Sequence, residues 1–402
     1  MRGERTDLNG PFLAREALKH GLEPARIAIV GDNPDELATV LHDALDADAI
    51  FTSGGLGPTH DDRTVEMVAG ALGLGLHVDP GLEAQIEGVS RAAAERMRRD
   101  YADFAPGVTK QATIPETALS LGLAGTAPGL LIPRPGDRVV VVLPGPPGEL
   151  RKLWPNALET DAFRALLART RAPGRRTFKL FGVSESAVAQ ALAAAGGDGD
   201  GVETTICARD FEIHVDFVVE PGADARADAL EQEFLGPLDR FMYGRDERGV
   251  EEHVLDLCRA RGLTIGTAES CTGGLVAARL TSVPGSSDVV AGGIVAYSNG
   301  LKAQQLGVSP ETLTAHGAVS AEVAAAMAKG ARERLGVDVA VAVTGVAGPG
   351  GGTPEKPVGL VYMHAEGPDG GLGRELDFPG DRAAIRARSV VVSLHLVRTM
   401  LG

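Results

Sequence analysis

The chain has 402 residues, 44% of them hydrophobic, which is enough apolar content for several cores and two or three domains. Its 39 Lys and Arg against 54 Asp and Glu leave a net charge of −15, so general attraction to nucleic acid or an anionic membrane is excluded and anionic ligands need local sites. Cys207, Cys258 and Cys271 show no CxxC spacing, which argues against a disulfide framework or a cysteine-built zinc site. A polar start over residues 1–10 and the lack of a long apolar run point to a cytoplasmic protein with neither secretion nor membrane insertion.

In chain order, an amphipathic helix is expected over 12–20 and a strand over 26–30, followed by a helix over 35–44 and a strand over 49–52. This alternation calls for a parallel sheet with crossover helices and ligands at the carboxyl ends of its strands. The turn at 53–62 supports that placement. Gly54, Gly55 and Gly57 allow backbone N–H groups to approach a phosphate, and adjacent Asp61 and Asp62 offer hard oxygens to a divalent cation. Asp61 is equally suited to cap the helix over 65–72. After a long helical pattern at 82–97 come strands at 130–132 and 139–143. The second ends in a Pro/Gly turn that delivers Glu149 either toward the aspartates or into the helix over 150–154.

Composition shifts after Arg164. Residues 175–182, 185–195, 202–219 and 223–234 give a strand–helix–strand–strand–helix order, a small α+β module similar to KH-like folds. It lacks a Gly-X-X-Gly clamp and has an acidic loop at 196–201, which favours a spacer or dimer-forming role over RNA binding.

A polar linker at 244–249 leads to a helix over 250–261, and then to Gly266-Thr267-Ala268-Glu269-Ser270-Cys271-Thr272-Gly273-Gly274. The apolar run before it suits a buried strand and the pattern after it a helix. A hydroxyl at that junction faces free helix N–H groups, so Ser270 reads as a nucleophile at a helix start, although an ordinary Ser/Thr cap has the same composition. A strand at 289–296 ends in Tyr297-Ser298-Asn299-Gly300-Leu301-Lys302, Ser309 and Ser320 are helix caps, and a strand at 339–343 enters the glycine-dense loop from Thr344 to Gly359. Such a loop brings backbone close to a ligand. Strands at 360–364 and 375–378 precede Pro379-Gly380-Asp381-Arg382. Arg382 and Arg386 share one helix face, an arrangement suited to phosphate. No histidine lies in these turns, so proton transfer for Ser270 falls to Lys302 or Tyr297.

Taken together, the 268–274 stretch, Tyr297-Ser298-Asn299 with Lys302, Gly317-Ala318-Val319-Ser320 and the loop from Thr344 to Gly359 closely resemble the CinA family (competence/damage-inducible protein A). The resemblance covers nearly the whole chain. It implies an α/β protein in which two three-layer α/β domains, at 1–165 and 248–402, are joined by the module at 175–243. The first domain is molybdopterin-binding-like, and the last is a nicotinamide-nucleotide amidase. It also implies Ser270 as nucleophile, Tyr297 and Thr344 as active-site polar groups, and Arg382, then Arg386, as phosphate contact. Cys271, Thr272, Gly273, Gly274, Gly345, Gly348 and Gly350 are expected at the substrate, with Cys271 itself a small buried turn residue.

The expected activity is deamidation of nicotinamide mononucleotide to nicotinic acid mononucleotide and ammonia in NAD recycling, by a homodimer that needs no cofactor. Competing readings are metal-dependent ADP-ribose hydrolysis with a divalent cation on Asp61 and Asp62, and a non-catalytic nucleotide sensor. Family members open with a strand and a Gly-Thr-Glu turn, whereas this chain opens at Met1-Arg2-Gly3-Glu4, and Gly122 stands where an Asn is common. The first strand is therefore expected to be absent and ADP-ribose hydrolysis weak.

Overall fold

A computed structural model describes residues 6–31, 33–209 and 211–402. The expectation for the opening four residues falls outside the described residues. The chain divides into two compact units, one ending at Pro173 and the other starting at Gly174.

The first unit runs through α1 (Gly10–Lys19), α2 (Pro34–Asp43), β1 (Ala49–Ser53), α3 (Thr64–Leu72), β2 (Leu76–Val78), α4 (Pro80–Met97), α5 (Ala105–Gln111), β3 (Thr113–Pro115), β4 (Leu119–Leu123), β5 (Pro128–Arg134), β6 (Arg138–Leu143), α6 (Pro147–Glu159) and α7 (Asp161–Leu167). Its main sheet has the order β1-β6-β5-β4. Strand β6 is a run of four valines and a leucine because both its faces are covered. Val140 and Val142 enter one core with Leu82 and Ile86, while Val139 and Val141 enter another with Leu150, Trp154 and Phe163. That two-residue period makes three layers.

Two expectations fail here. Only β1 and β6 pair in parallel, and β5 and β4 complete the sheet antiparallel. Residues 26–30 form no strand, and Ile27 and Ile29 are 52% and 55% exposed. β-branched residues favour a strand only where a neighbour supplies a ladder and a covered face; among the described residues none pairs with this segment.

The second unit begins with β7 (Gly174–Phe181), α8 (Glu185–Ala194), β8 (Val202–Arg209), β9 (Glu212–Val219), α9 (Asp224–Leu235) and β10 (Met242–Gly244). They form an antiparallel sheet of order β10-β7-β9-β8, with Phe178, Phe217 and Phe234 in edge-to-face contact beneath the helices. Strand β10 adds one strand to the expected order.

The remainder comprises α10 (Val250–Arg261), β11 (Ile265–Glu269), α11 (Leu275–Thr281), β12 (Val290–Val295), α12 (Asn299–Leu306), α13 (Pro310–His316), α14 (Ala321–Leu335), β13 (Val339–Gly345), β14 (Leu360–Gly367), β15 (Gly370–Asp377) and α15 (Arg382–Leu401). Its sheet has the order β12-β11-β13-β14-β15, parallel through the first three strands and closed by an antiparallel hairpin. One face packs Val254, Leu255, Ile385 and Leu394 and the other Leu306, Val323 and Met327, again giving three layers. No helix among the described residues is long and apolar enough to cross a membrane.

Candidate active site

Strand β11 is fully buried between two parallel neighbours, which explains its small residues: a Cβ on Gly266 would come within 2.6 Å of the Leu335 side chain. The strand extends to Glu269, so four residues expected in the turn are ladder residues. Ser270 is the first residue past the strand, its N–H still held by the Val343 carbonyl at 2.9 Å. The chain then turns through Gly273 and Gly274, at φ 61° and 93°, values that a side chain disfavours. Ser270 thus sits at the carboxyl end of a central parallel strand, where open α/β sheets place ligands.

Glu269 departs from the sequence reading. Its carboxylate is fully buried and accepts the N–H groups of Gly274, Val276 and Ala277 at 2.9, 3.0 and 2.9 Å, together with the Thr267 hydroxyl at 3.1 Å. The start of α11 is therefore satisfied by an internal anion rather than left free beside the serine, as expected. Hydrogen bonds to a charged acceptor contribute about 1.5–3 kcal/mol each, so four of them offset the cost of burying the charge and fix the turn. The acid directly before Ser270 was the available signal.

Lys302 comes from α12, which starts at a Ser298 cap accepting the Leu301 N–H. Its ammonium returns into the sheet: Lys302 is 1% exposed, and Nζ donates to Ser270 Oγ at 2.9 Å and to the Ala296 carbonyl at 3.0 Å. Burial lowers its pKa from the ordinary lysine value. The same heavy-atom contact serves a neutral amine that accepts the serine proton. Cys271 belongs to the core, and burial pushes its thiol up to about 11, which makes it the packing residue expected.

Tyr297, 60% exposed, is tied to α15 because Arg382 Nη2 donates to its hydroxyl at 3.0 Å while Arg382 Nη1 donates to the Gly348 carbonyl at 2.8 Å. Both partners are neutral oxygens, so they leave the guanidinium charge uncompensated; Asp381 caps the same helix through the Ala384 N–H. Arg386 reaches the Ser270 turn instead, donating to the Thr272 carbonyl at 2.7 Å. Arg386 Nε and Thr272 Oγ1 are buried there without a hydrogen-bond partner.

Thr344 is buried at the end of β13 and donates to the Ala318 carbonyl at 2.7 Å; it orders the 317–320 turn. A Cβ on Gly345 would meet the Leu360 carbonyl at 2.8 Å, a close strand approach, whereas one on Gly350 would face open space. Lys356 was missed: its Nζ donates to the His316 and Val319 carbonyls at 2.6 and 2.7 Å, pinning the glycine-rich loop to that turn. A lone lysine in a glycine run is the signal.

In the first unit, Asp62 Oδ2 accepts from the Thr59 N–H and hydroxyl at 3.0 and 2.6 Å, and Asp61 pairs with His60. Glu149 stands against Gly125, where an added Cβ would meet its carboxylate at 2.5 Å. Among the described residues no three His, Cys, Asp or Glu side chains gather as a metal site; a cation on Asp61 and Asp62 would need further ligands from backbone, water or substrate.

Residues 247–401 match the CinA C-terminal domain family and residues 1–162 the probable molybdopterin binding domain family. A CinA-like protein of Mycolicibacterium gilvum is 44% identical over 409 residues, spanning 100% of this chain and 96% of the relative. One of Mycobacterium tuberculosis is 43% identical over 412 residues, spanning 100% and 95%. The crystal structure of a competence/damage inducible protein from Agrobacterium tumefaciens is 44% identical, covers 38% of this chain and 93% of its own, and superposes with a TM-score of 0.37. With family matches at both ends and relatives this similar along its whole length, the chain belongs to the CinA family.

Proposed function

We propose that the last domain deamidates nicotinamide mononucleotide, giving nicotinic acid mononucleotide and ammonia. The observation that carries this reading is the 2.9 Å contact between Ser270 Oγ and the buried Lys302 Nζ. Ser270 Oγ attacks the carboxamide carbon as neutral Lys302 takes its proton. The carbonyl oxygen becomes a tetrahedral oxyanion, assigned to backbone donors at this strand end. Lys302 returns the proton to the nitrogen, the C–N bond breaks, ammonia leaves and a Ser270 ester remains. Water, deprotonated by Lys302, cleaves that ester, and the proton goes back to Ser270. The test is ammonia release from nicotinamide mononucleotide by the purified 402-residue chain.

The phosphate is assigned to Arg382, whose contacts leave its charge uncompensated. Interactions remote from the reacting carbon raise turnover as well as affinity, so free nicotinamide is expected to be a poor substrate. Equal kcat/KM on nicotinamide and its mononucleotide would remove the phosphate assignment without touching Ser270.

The proposed parts are a hydroxyl, an amine and backbone donors, none of which needs a cation. Deamidation is therefore expected to survive a chelator. Loss of ammonia release on chelation, restored by a divalent ion, would count against the mechanism.

A further inference from the structure

The β8–β9 hairpin of the small module reaches the helix that carries the anion contact. At its tip Phe211 has φ 70°, a left-handed conformation suited to the tight turn between β8 and β9, whose residues Arg209 and Glu212 pair. The Phe211 ring meets Phe378 edge to face at 5.4 Å, and the Arg388 guanidinium lies 4.5 Å above it. Arg388 in turn donates to the Pro379 carbonyl. Phe378 directly follows β15 and residues 379–381 are the turn from which Arg382 projects, so Phe211 is one contact away from both sides of that turn.

A second anchor lies along the same helix. Glu212, the first residue of β9, accepts from His395 Nε2 at 2.7 Å, and the fully buried His395 ring stacks on Phe181 of β7 at 3.7 Å and 7°. Arg398 Nε donates to His395 Nδ1 at 3.3 Å. With one ring nitrogen donating and the other accepting, the imidazole is neutral and its tautomer fixed. The hairpin thus holds α15 at Arg388 and again at His395, two turns further on.

We propose that Phe211 is a positioning residue for Arg382: the small module, rather than the amidase domain alone, sets the start of α15 and with it the affinity for the phosphate end of the substrate. The inference rests on the assignment of Arg382 above. An extended spacer between domains would not seat an aromatic ring against Phe378 and Arg388 beside that turn. A packed contact of this kind restricts where the arginine sits before substrate arrives, and such preorganisation is expressed in binding.

The experiment uses the full chain with Phe211→Ala and, as the conservative rescue, Phe211→Tyr. Phe211 is 43% exposed, so its truncation leaves the core intact. Residues that act through others change coupling by about twofold to thirtyfold. Phe211→Ala is expected to raise KM for nicotinamide mononucleotide by that factor with kcat nearly unchanged, to leave the low activity on free nicotinamide as it was, and to speed amide exchange at residues 378–386. Phe211→Tyr is expected to restore both KM and the exchange rate. Unchanged KM and unchanged exchange in Phe211→Ala would overturn the proposal, and so would an equal loss on both substrates. Absence of deamidation in the unaltered chain would instead sink the amidase reading, while the exchange measurement would still report whether the hairpin holds the helix.

Discussion

Ser270→Ala is expected to abolish ammonia release from nicotinamide mononucleotide while leaving nucleotide binding nearly intact. Removing a covalent nucleophile costs on the order of a thousandfold or more in rate. The neighbouring thiol offers no substitute, because Cys271 is buried with its pKa pushed up to about 11, leaving on the order of one part in ten thousand as thiolate at neutral pH. Binding should survive, since Arg382, Arg386 and the backbone around Gly273 are untouched. The turn should survive too: it is fixed by Glu269 through bonds to Gly274, Val276 and Ala277, and the Ser270 N–H bond to Val343 does not involve the side chain. Turnover in a kinetic assay and affinity by calorimetry separate the two effects. Near-native turnover in Ser270→Ala would transfer the chemistry to a bound water and end the acyl-enzyme reading.

How far the sequence led differs between the two units for a physical reason. In the last domain the strands are short apolar runs flanked by glycine turns, and Ser309 and Ser320 cap helices where a capping residue before a periodic run predicts them. Each signal is local, so each was legible. The meeting of Ser270 with Lys302 was legible only as a pair of candidates, because the 32-residue separation between them had to be folded into a strand and a helix before the distance existed. Glu269 shows the limit more sharply. A carboxylate beside a nucleophile looks like a catalytic acid on paper, yet here it is consumed by helix N–H groups five to eight residues ahead. The strand expected over 26–30 failed for the opposite reason: Ile27 and Ile29 carry a good local signal, but strand formation depends on a neighbour that a one-dimensional pattern cannot supply. Phe211 and Glu212, separated from α15 by more than a hundred and sixty residues, carried no sequence signal at all.

Lys302→Met is expected to remove activity and to change how stability responds to pH, two results with a single cause. General-base catalysis contributes about a hundredfold to ten-thousandfold, and methionine keeps the length and apolar stem of lysine without a titrating group. Lys302→Arg is the companion variant. It retains charge and donors, but a guanidinium does not give up its proton at accessible pH, so it too should be inactive. In the unaltered protein burial holds the Lys302 pKa below the ordinary lysine value of 10.5. Between the lowered folded value and 10.5 the unfolded chain binds more protons than the folded one, so stability rises with pH across that window. Below the window both states carry the charge, and the folded state bears the whole cost of burying it. Denaturant unfolding followed against pH should therefore show a rising limb in the unaltered chain that is missing in Lys302→Met. The rise in kcat/KM with pH should have its midpoint at the lower end of the same window. If Lys302→Met keeps its activity, or if the pH dependence of kcat/KM is the same in Lys302→Met as in the unaltered chain, then Lys302 is a buried structural amine and Tyr297 or water takes the serine proton.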